Sequence, residues 1–174
     1  MKKIAIIGCG GAGKSTLARQ LATILRLPVI HLDKEFWRPG WQMLPKEEEG
    51  KVLEKLSRQT EWIIDGNYKN TMSARFKEAD TIIFLDFSTL LCLRRAIRRF
   101  FTYRGRTRPD MTEGCPEKLD WSFIGWILSY RHAYRPIVLD KLKQHTQNRK
   151  ILVFKKPKQV SQFLIALTES GDYN

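Results

Sequence analysis

Acidic residues are in short supply in this chain. Aspartates and glutamates number 18 against 31 lysines and arginines, a formal net charge of +13 over 174 residues. Cysteine is scarce too: Cys9, Cys92 and Cys115 have no paired spacing and no histidine at zinc-ligand intervals. That excludes a structural zinc and suits a reducing, cytoplasmic setting. His31, His132 and His145 share no metal-ligand spacing, and His31 reads as a core-edge residue. The longest apolar stretch, Phe123 to Leu128, is far too short to span a bilayer, so no membrane partner is expected. No signal-like segment is expected before the first strand, which begins at residue 2 or 3. There is no internal repeat, low-complexity tract or linker. The length fits one domain with a single buried core across residues 1–174.

What the chain does have is concentrated near its start. Residues 8 to 15 read Gly8-Cys9-Gly10-Gly11-Ala12-Gly13-Lys14-Ser15, a complete G-x-x-x-x-G-K-[ST] loop directly after the apolar run Ile4-Ala5-Ile6-Ile7. Glycines let the backbone wrap a phosphate so that successive N–H groups point at the anion. Lys14 can reach the β- and γ-phosphates, and the Ser15 hydroxyl can ligate Mg²⁺. From Thr16 a helix follows, with Leu17, Leu21, Ile24 and Leu25 on one face, and its positive N-terminal end joins the site. The expectation is a nucleoside triphosphate site formed by Gly8, Gly10, Gly11, Ala12, Gly13, Lys14, Ser15 and Thr16. No Asn-Lys-x-Asp guanine motif occurs, which excludes a GTPase, and the chain is short for a helicase or AAA-type ATPase.

The basic surplus is clustered. Seven arginines lie between Arg94 and Arg108, interleaved with Phe100, Phe101 and Tyr103. A guanidinium grips phosphate oxygens in a bidentate fork, so the choice of arginine matters. Three readings stay open: a nucleic-acid face, with aromatics stacking on bases; a lid that clamps polyphosphate during phosphoryl transfer; or a solvated helix face. Without anions the arginines repel one another, so residues 104–120 are expected to be loosely ordered when the site is empty.

Periodicity predicts alternating elements. Strands are expected at Lys3–Ile7, Val29–Leu32 (ending at Asp33), Trp62–Ile64, Thr81–Phe87 and Ile151–Phe154. Helices are expected at Ser15–Arg26, from the Glu47-Glu48-Glu49 turn to about Thr60, at Thr71–Ala79, Thr89–Tyr103, Trp121–Gln144 with a break near Pro136, and from Pro157 onward. Residues 34–45 have no period and read as an ordered loop. Continuous apolar runs such as Ile82-Ile83-Phe84-Leu85 indicate strands buried on both faces, giving an α/β three-layer class.

Several segments together carry a likeness: the phosphate loop, His31-Leu32-Asp33, Trp37-Arg38-Pro39-Gly40-Trp41, Asp65-Gly66-Asn67-Tyr68, and Arg108-Pro109-Asp110-Met111 with Gly114-Cys115-Pro116-Glu117. They resemble adenylate-kinase-related P-loop proteins, and within that group the bacterial DNA topology modulation proteins. The resemblance implies a P-loop NTPase fold of the nucleotide-kinase type, with a five-stranded parallel sheet of order 2-3-1-4-5 and helices on both faces. It implies an acceptor-binding insertion at about 34–60 and an arginine-rich lid at about 100–120. ATP and Mg²⁺ are the implied cofactors. The partner is a small acceptor, with nucleic acid through the arginine-rich segment as the alternative.

For phosphoryl transfer, Mg²⁺ falls to Ser15 and a strand-end carboxylate. By bare pattern Asp86 matches better, whereas the resemblance selects Asp65. It also places Asp33 against the acceptor hydroxyl; a turn-forming aspartate is the other reading. Arg94 or Arg95 resembles the arginine lying on the adenine ring, and Arg104, Arg106, Arg108 and, beyond the lid, Arg131 and Arg135 are candidates for phosphate contact. The nucleoside-monophosphate kinases bind the acceptor phosphate through an Asp-Gly-hydrophobic-Pro-Arg turn. Here the turn reads Asp65-Gly66-Asn67-Tyr68-Lys69, without that arginine, leaving Arg38, Arg58 and Arg75 as substitutes. Phe36, Trp37 and Trp41 are candidates for an aromatic wall.

Overall fold

Ile4, Ala5, Ile6 and Ile7 of the first strand are all fully buried. A strand with apolar residues on both faces needs a layer on each side of its sheet. The computed structural model of the chain, which describes residues 1–145 and 149–170, supplies both layers.

The elements run β1 (Lys3–Gly8), α1 (Lys14–Leu25), β2 (Val29–His31), α2 (Leu32–Phe36), β3 (Trp37–Arg38), β4 (Gln42–Met43), α3 (Lys46–Ser57) and β5 (Trp62–Asp65). They continue through α4 (Lys69–Glu78), β6 (Thr81–Leu85), α5 (Thr89–Tyr103), α6 (Trp121–Ala133), α7 (Arg135–Gln144), β7 (Lys150–Phe154) and α8 (Pro157–Ser170). Five strands pair in parallel in the order β2-β5-β1-β6-β7, which is the expected 2-3-1-4-5 when these five are counted alone. Alternation along each strand sorts its residues between the layers. Ile4, Ile6, Ile63, Ile83 and Leu85 pack with Leu17 and Leu21 of α1, Cys92 and Ala96 of α5, and Ile127 of α6. Ala5, Ile7, Ile64, Ile82 and Phe84 pack on the other face with Phe36, Leu53, Met72, Phe76 and Val138. No helix among the described residues is long and apolar enough to cross a membrane.

Two segments depart from the sequence expectation. β2 stops at His31, so Asp33 lies in the first turn of α2 and not at the strand end. The supposed loop 34–45 contains that helix and a hairpin in which Trp37 pairs with Met43 and Arg38 with Gln42. Strands of two residues are too short to show a period, and the hairpin depends on Pro39-Gly40-Trp41 turning the chain. Further on, helical structure breaks at Tyr134, with Pro136 in the first turn of α7, where its missing N–H is harmless.

Candidate active site

All five parallel strands point their C-terminal ends the same way, and a cleft of about 1350 Å³ opens beside that edge. Single-ligand pockets hold roughly 300–1,000 Å³, so this one has room for two small molecules.

One end is the phosphate loop. Gly11 (φ 78°) and Gly13 (φ 92°) adopt left-handed conformations open to glycine, and a Cβ on Gly11 would lie 2.2 Å from the Cys92 carbonyl oxygen. The loop closes on itself through Ala12 N to Cys9 O (3.1 Å), and Lys14 Nζ donates to the carbonyls of Gly8 (3.0 Å) and Cys9 (3.1 Å). No side chain caps the first turn of α1, whose N–H groups therefore remain available to an anion. Gly10 through Thr16 line the cleft, and Gly8 closes β1 beneath it.

Sheet register brings the next group together. His31 stands opposite Asp65 in the β2–β5 pairing, and Ile6 of β1 stands on the other side of Asp65. The Asp65 carboxylate meets His31 Nδ1 at 2.5 Å through one oxygen and accepts from Ser15 Oγ at 2.7 Å through the other. His31, read from the sequence as a core-edge residue, thus orients a cleft carboxylate. Asp86 is placed differently: its carboxylate takes a bidentate pair from Arg135, Nε and Nη2 both at 2.8 Å.

At the opposite end Asp33 accepts from Tyr68 Oη (2.7 Å), which itself accepts from Trp37 Nε1 (2.9 Å). Burial, with the Asp33 charge beside it, pushes the Tyr68 phenol well above the tyrosine range, so it stays a donor. Arg75 is fully buried beneath this turn, donating to the carbonyls of Gly66 (2.9 Å) and Tyr68 (3.3 Å). Desolvation pulls its guanidinium down to about 10. Trp41 holds φ 63°, a conformation costing a non-glycine residue on the order of 1–2 kcal/mol. Its ring packs edge-on against Trp37 at 5.5 Å, and its Nε1 donates to Pro116 O at 3.1 Å.

The arginine-rich segment crosses over this end. Arg108 is buried and contacts Asp110 at 2.9 Å, Glu117 at 2.6 Å and Asp33 at 3.9 Å, while Arg99 pairs with Glu117 at 3.0 Å. Burial pushes the Asp110 carboxyl up, but the charge of Arg108 beside it leads the effects that outweigh burial and hold the group below the ordinary aspartate range. The expected mutual repulsion of the arginines is therefore met within the chain by Asp110 and Glu117, acids that the lid motifs contain but that were not read as counter-charges. The segment also bonds to the hairpin region: Gly40 N to Gly114 O (2.9 Å), Thr112 Oγ1 to the carbonyls of Lys34 (2.8 Å) and Trp37 (2.9 Å), and Cys115 Sγ to Arg38 O (3.2 Å).

Arg95 lines the cleft, donating to Ala12 O at 3.3 Å with its guanidinium 5.7 Å from the Phe87 ring centre. Arg94 is exposed, about 100° further round the helix and away from the cleft. Arg104 and Arg106 are exposed as well, their backbones engaged with that of Glu117 through an isolated bridge and the Glu117 N to Arg106 O bond (2.9 Å). Arg131 follows the buried Tyr130 on the outer side of α6. Of the arginines suggested for an acceptor phosphate, Arg38 is exposed and donates to Glu35 O, and Arg58 is exposed and pairs with Glu54. With Arg75 under the turn, none of the three is among the residues lining the cleft.

No family model matches the chain. A shikimate kinase of Rhodococcus erythropolis is 30% identical over 129 residues, covering 66% of this chain and 73% of that protein. A solved shikimate kinase from Acinetobacter baumannii, in complex with shikimate, superposes with a TM-score of 0.61 at 16% identity, over 100% of this chain and 96% of its own. Another, from Bacteroides thetaiotaomicron, gives a TM-score of 0.51 at 20% identity, with 96% of each chain covered.

Proposed function

The chain belongs to the P-loop kinase family of the shikimate kinases and is an ATP-dependent phosphotransferase; we propose that it acts on a hydroxyl of a small acceptor held between Asp33 and the Trp37–Trp41 wall. The observation that carries this reading is the spacing of two jobs along one cleft. Ser15 and Asp65 are joined at 2.7 Å at the phosphate end, and Asp33 sits free of any short ion pair at the other.

In this reading the loop N–H groups and Lys14 bind the β- and γ-phosphates, and Arg95 lies along the base with Phe87. The oxygens of Ser15 and Asp65 are hard donors suited to Mg²⁺, with Asp110 adjacent. Among the described residues no three His, Cys, Asp or Glu side chains form a metal cage of their own. That fits a cation held mainly by triphosphate oxygens. Ser15 and Asp65 would hold such an ion, which would supply positive charge to offset the negative charge that develops during transfer. His31 fixes the Asp65 carboxylate in the orientation that faces Ser15. Asp33, held by Tyr68, accepts the proton of the attacking hydroxyl, which needs hydrogen-bond reach more than a shifted pKa. Arg108, once released from Asp110 and Glu117, reaches the transferring phosphoryl group. Residues 104–120 then act as the lid, seated on the hairpin of the acceptor segment.

A screen of hydroxyl acceptors with γ-labelled ATP tests the reading. The expected result is label transfer that is lost in Asp33→Asn and Asp65→Asn while both variants still bind ATP. Transfer that survives both substitutions would overturn it. The nucleic-acid alternative draws on the exposure of Arg94, Arg98, Arg104 and Arg106. It requires a DNA affinity that falls steeply with salt, by several counterions per site.

A further inference from the structure

We infer that the acceptor is an uncharged, ring-shaped polyol, either the ribose of a nucleoside or a free sugar, and not a phosphorylated or carboxylated compound; this rests on the kinase reading above. The first ground is an account of positive charge at the acceptor end. An anion entering a partly dry cleft needs a charge-assisted partner, most effectively a guanidinium fork. Arg99 is engaged by Glu117, Arg108 is paired with Asp110 and Glu117 and assigned in the kinase reading to the transferring phosphoryl group rather than to an acceptor anion, Arg75 is spent on the carbonyls of the 66–68 turn, and Arg38 and Arg58 face solvent. The lysines on the cleft wall, Lys46, Lys69 and Lys118, are exposed, and Lys118 lies 5.1 Å over the Trp41 ring.

The second ground is what the cleft wants. Glu49 is 1% exposed, lines the cleft, and has a carboxylate oxygen with no hydrogen-bond partner among the described residues. The side-chain oxygen of Asn67, which also lines the cleft, is likewise buried and unpartnered among the described residues. Both are acceptors lacking donors, and buried polar atoms are ordinarily satisfied. A phosphate or carboxylate brings further acceptors and negative charge to that wall, beside Asp33. Hydroxyls bring donors. The third ground is the aromatic surface: Trp37 and Trp41 both line the cleft, packed edge-to-face, and aromatic rings of this kind suit the C–H face of a sugar ring or a base; Trp41 is held there in a left-handed conformation.

Calorimetry on the full chain with Mg²⁺ and a non-hydrolysable ATP analogue tests this. The probes are adenosine, guanosine, cytidine and thymidine, their 5′-monophosphates, neutral pentoses and hexoses, and shikimate as a carboxylated ring. At least one neutral probe is expected to bind about tenfold or more tightly than every anionic one, and whether it is a nucleoside or a free sugar identifies the source. Glu49→Ala is expected to weaken that probe about tenfold, since a lost partner for a bound hydroxyl is heavily penalised, while the affinity for the ATP analogue stays within about twofold. Tighter binding of any monophosphate or of shikimate overturns the inference, as does failure of every neutral probe to bind. If Glu49→Ala does not fold, the ranking in the unaltered protein decides alone. Labelled-ATP transfer to an anionic probe would sink the inference and leave the kinase reading intact. Transfer to none of the probes, with ATP-analogue binding intact, would count against the kinase reading itself.

Discussion

At the phosphate end of the cleft the main chain does the holding: glycines in left-handed conformations, loop N–H groups and the first turn of α1. At the acceptor end side chains do it, through the Trp37–Tyr68–Asp33 relay and the Arg99, Arg108, Asp110 and Glu117 cluster. A main-chain site recognises what all its ligands share, here a row of phosphates. A side-chain site recognises what distinguishes one ligand from another. The two ends should therefore fail differently when altered.

The largest expected effect is at their junction. Asp65→Asn should lower turnover by about 10²-fold or more with little change in melting temperature, because in the proposed reading it removes a metal-orienting oxygen while an amide can keep the Ser15 contact. Asp86→Asn is the matched contrast. It breaks the bidentate pair with Arg135 and should cost roughly 1–3 kcal/mol of stability with a smaller effect on the chemical step. Steady-state kinetics beside thermal melts separate the two, and the reverse pattern would exchange their roles.

Next comes Trp41→Ala. It should raise the acceptor KM about tenfold while ATP affinity, measured by calorimetry, stays within about twofold. Equal losses for both ligands would show that the two ends are not independent.

Glu49→Gln sharpens the comparison on the stability axis. Burial pushes the Glu49 carboxyl above the ordinary glutamate range. The folded state then holds a proton that the unfolded chain has released, so this residue costs stability as pH rises through that window and the cost fades as pH falls below it. Glu49→Gln should accordingly melt higher than the unaltered protein at neutral pH, with the gap closing toward pH 4. A gap independent of pH would contradict this origin. The smallest effect is expected from Arg98→Ala, exposed on α5, with turnover within about twofold.

The same division governed what could be read from the sequence. The phosphate loop is local, so eight consecutive residues were enough to specify it. Continuous apolar runs marked strands buried on both faces, while the sheet order, and with it the place of Asp65 beside the loop strand, came from the resemblance alone. His31 could not be recognised as its partner, because their contact depends on the β2–β5 register across 34 positions. Asp110 and Glu117 were visible as parts of motifs and Glu49 as part of a helix start, but the burial of all three, and the ion pairs of Asp110 and Glu117, stayed hidden for a related reason. A charged residue in an irregular segment or a first helical turn looks solvent-facing until tertiary packing buries it. Trp37 and Trp41 were visible as aromatics, but the two-residue strands that pose them carry no periodic signal.

The bonds that seat the 104–120 segment on the hairpin region land on main-chain oxygens of Lys34, Trp37 and Arg38, with Gly40 N and Trp41 Nε1 donating back to Gly114 and Pro116. Backbone oxygens survive substitution. Apart from the Trp41 Nε1 bond, the hairpin's share of this seam is thus insulated from changes at its own side chains. Residues that line the cleft without joining this seam, such as Glu49, Asn67 and Met43, can therefore change while the segment keeps its seat.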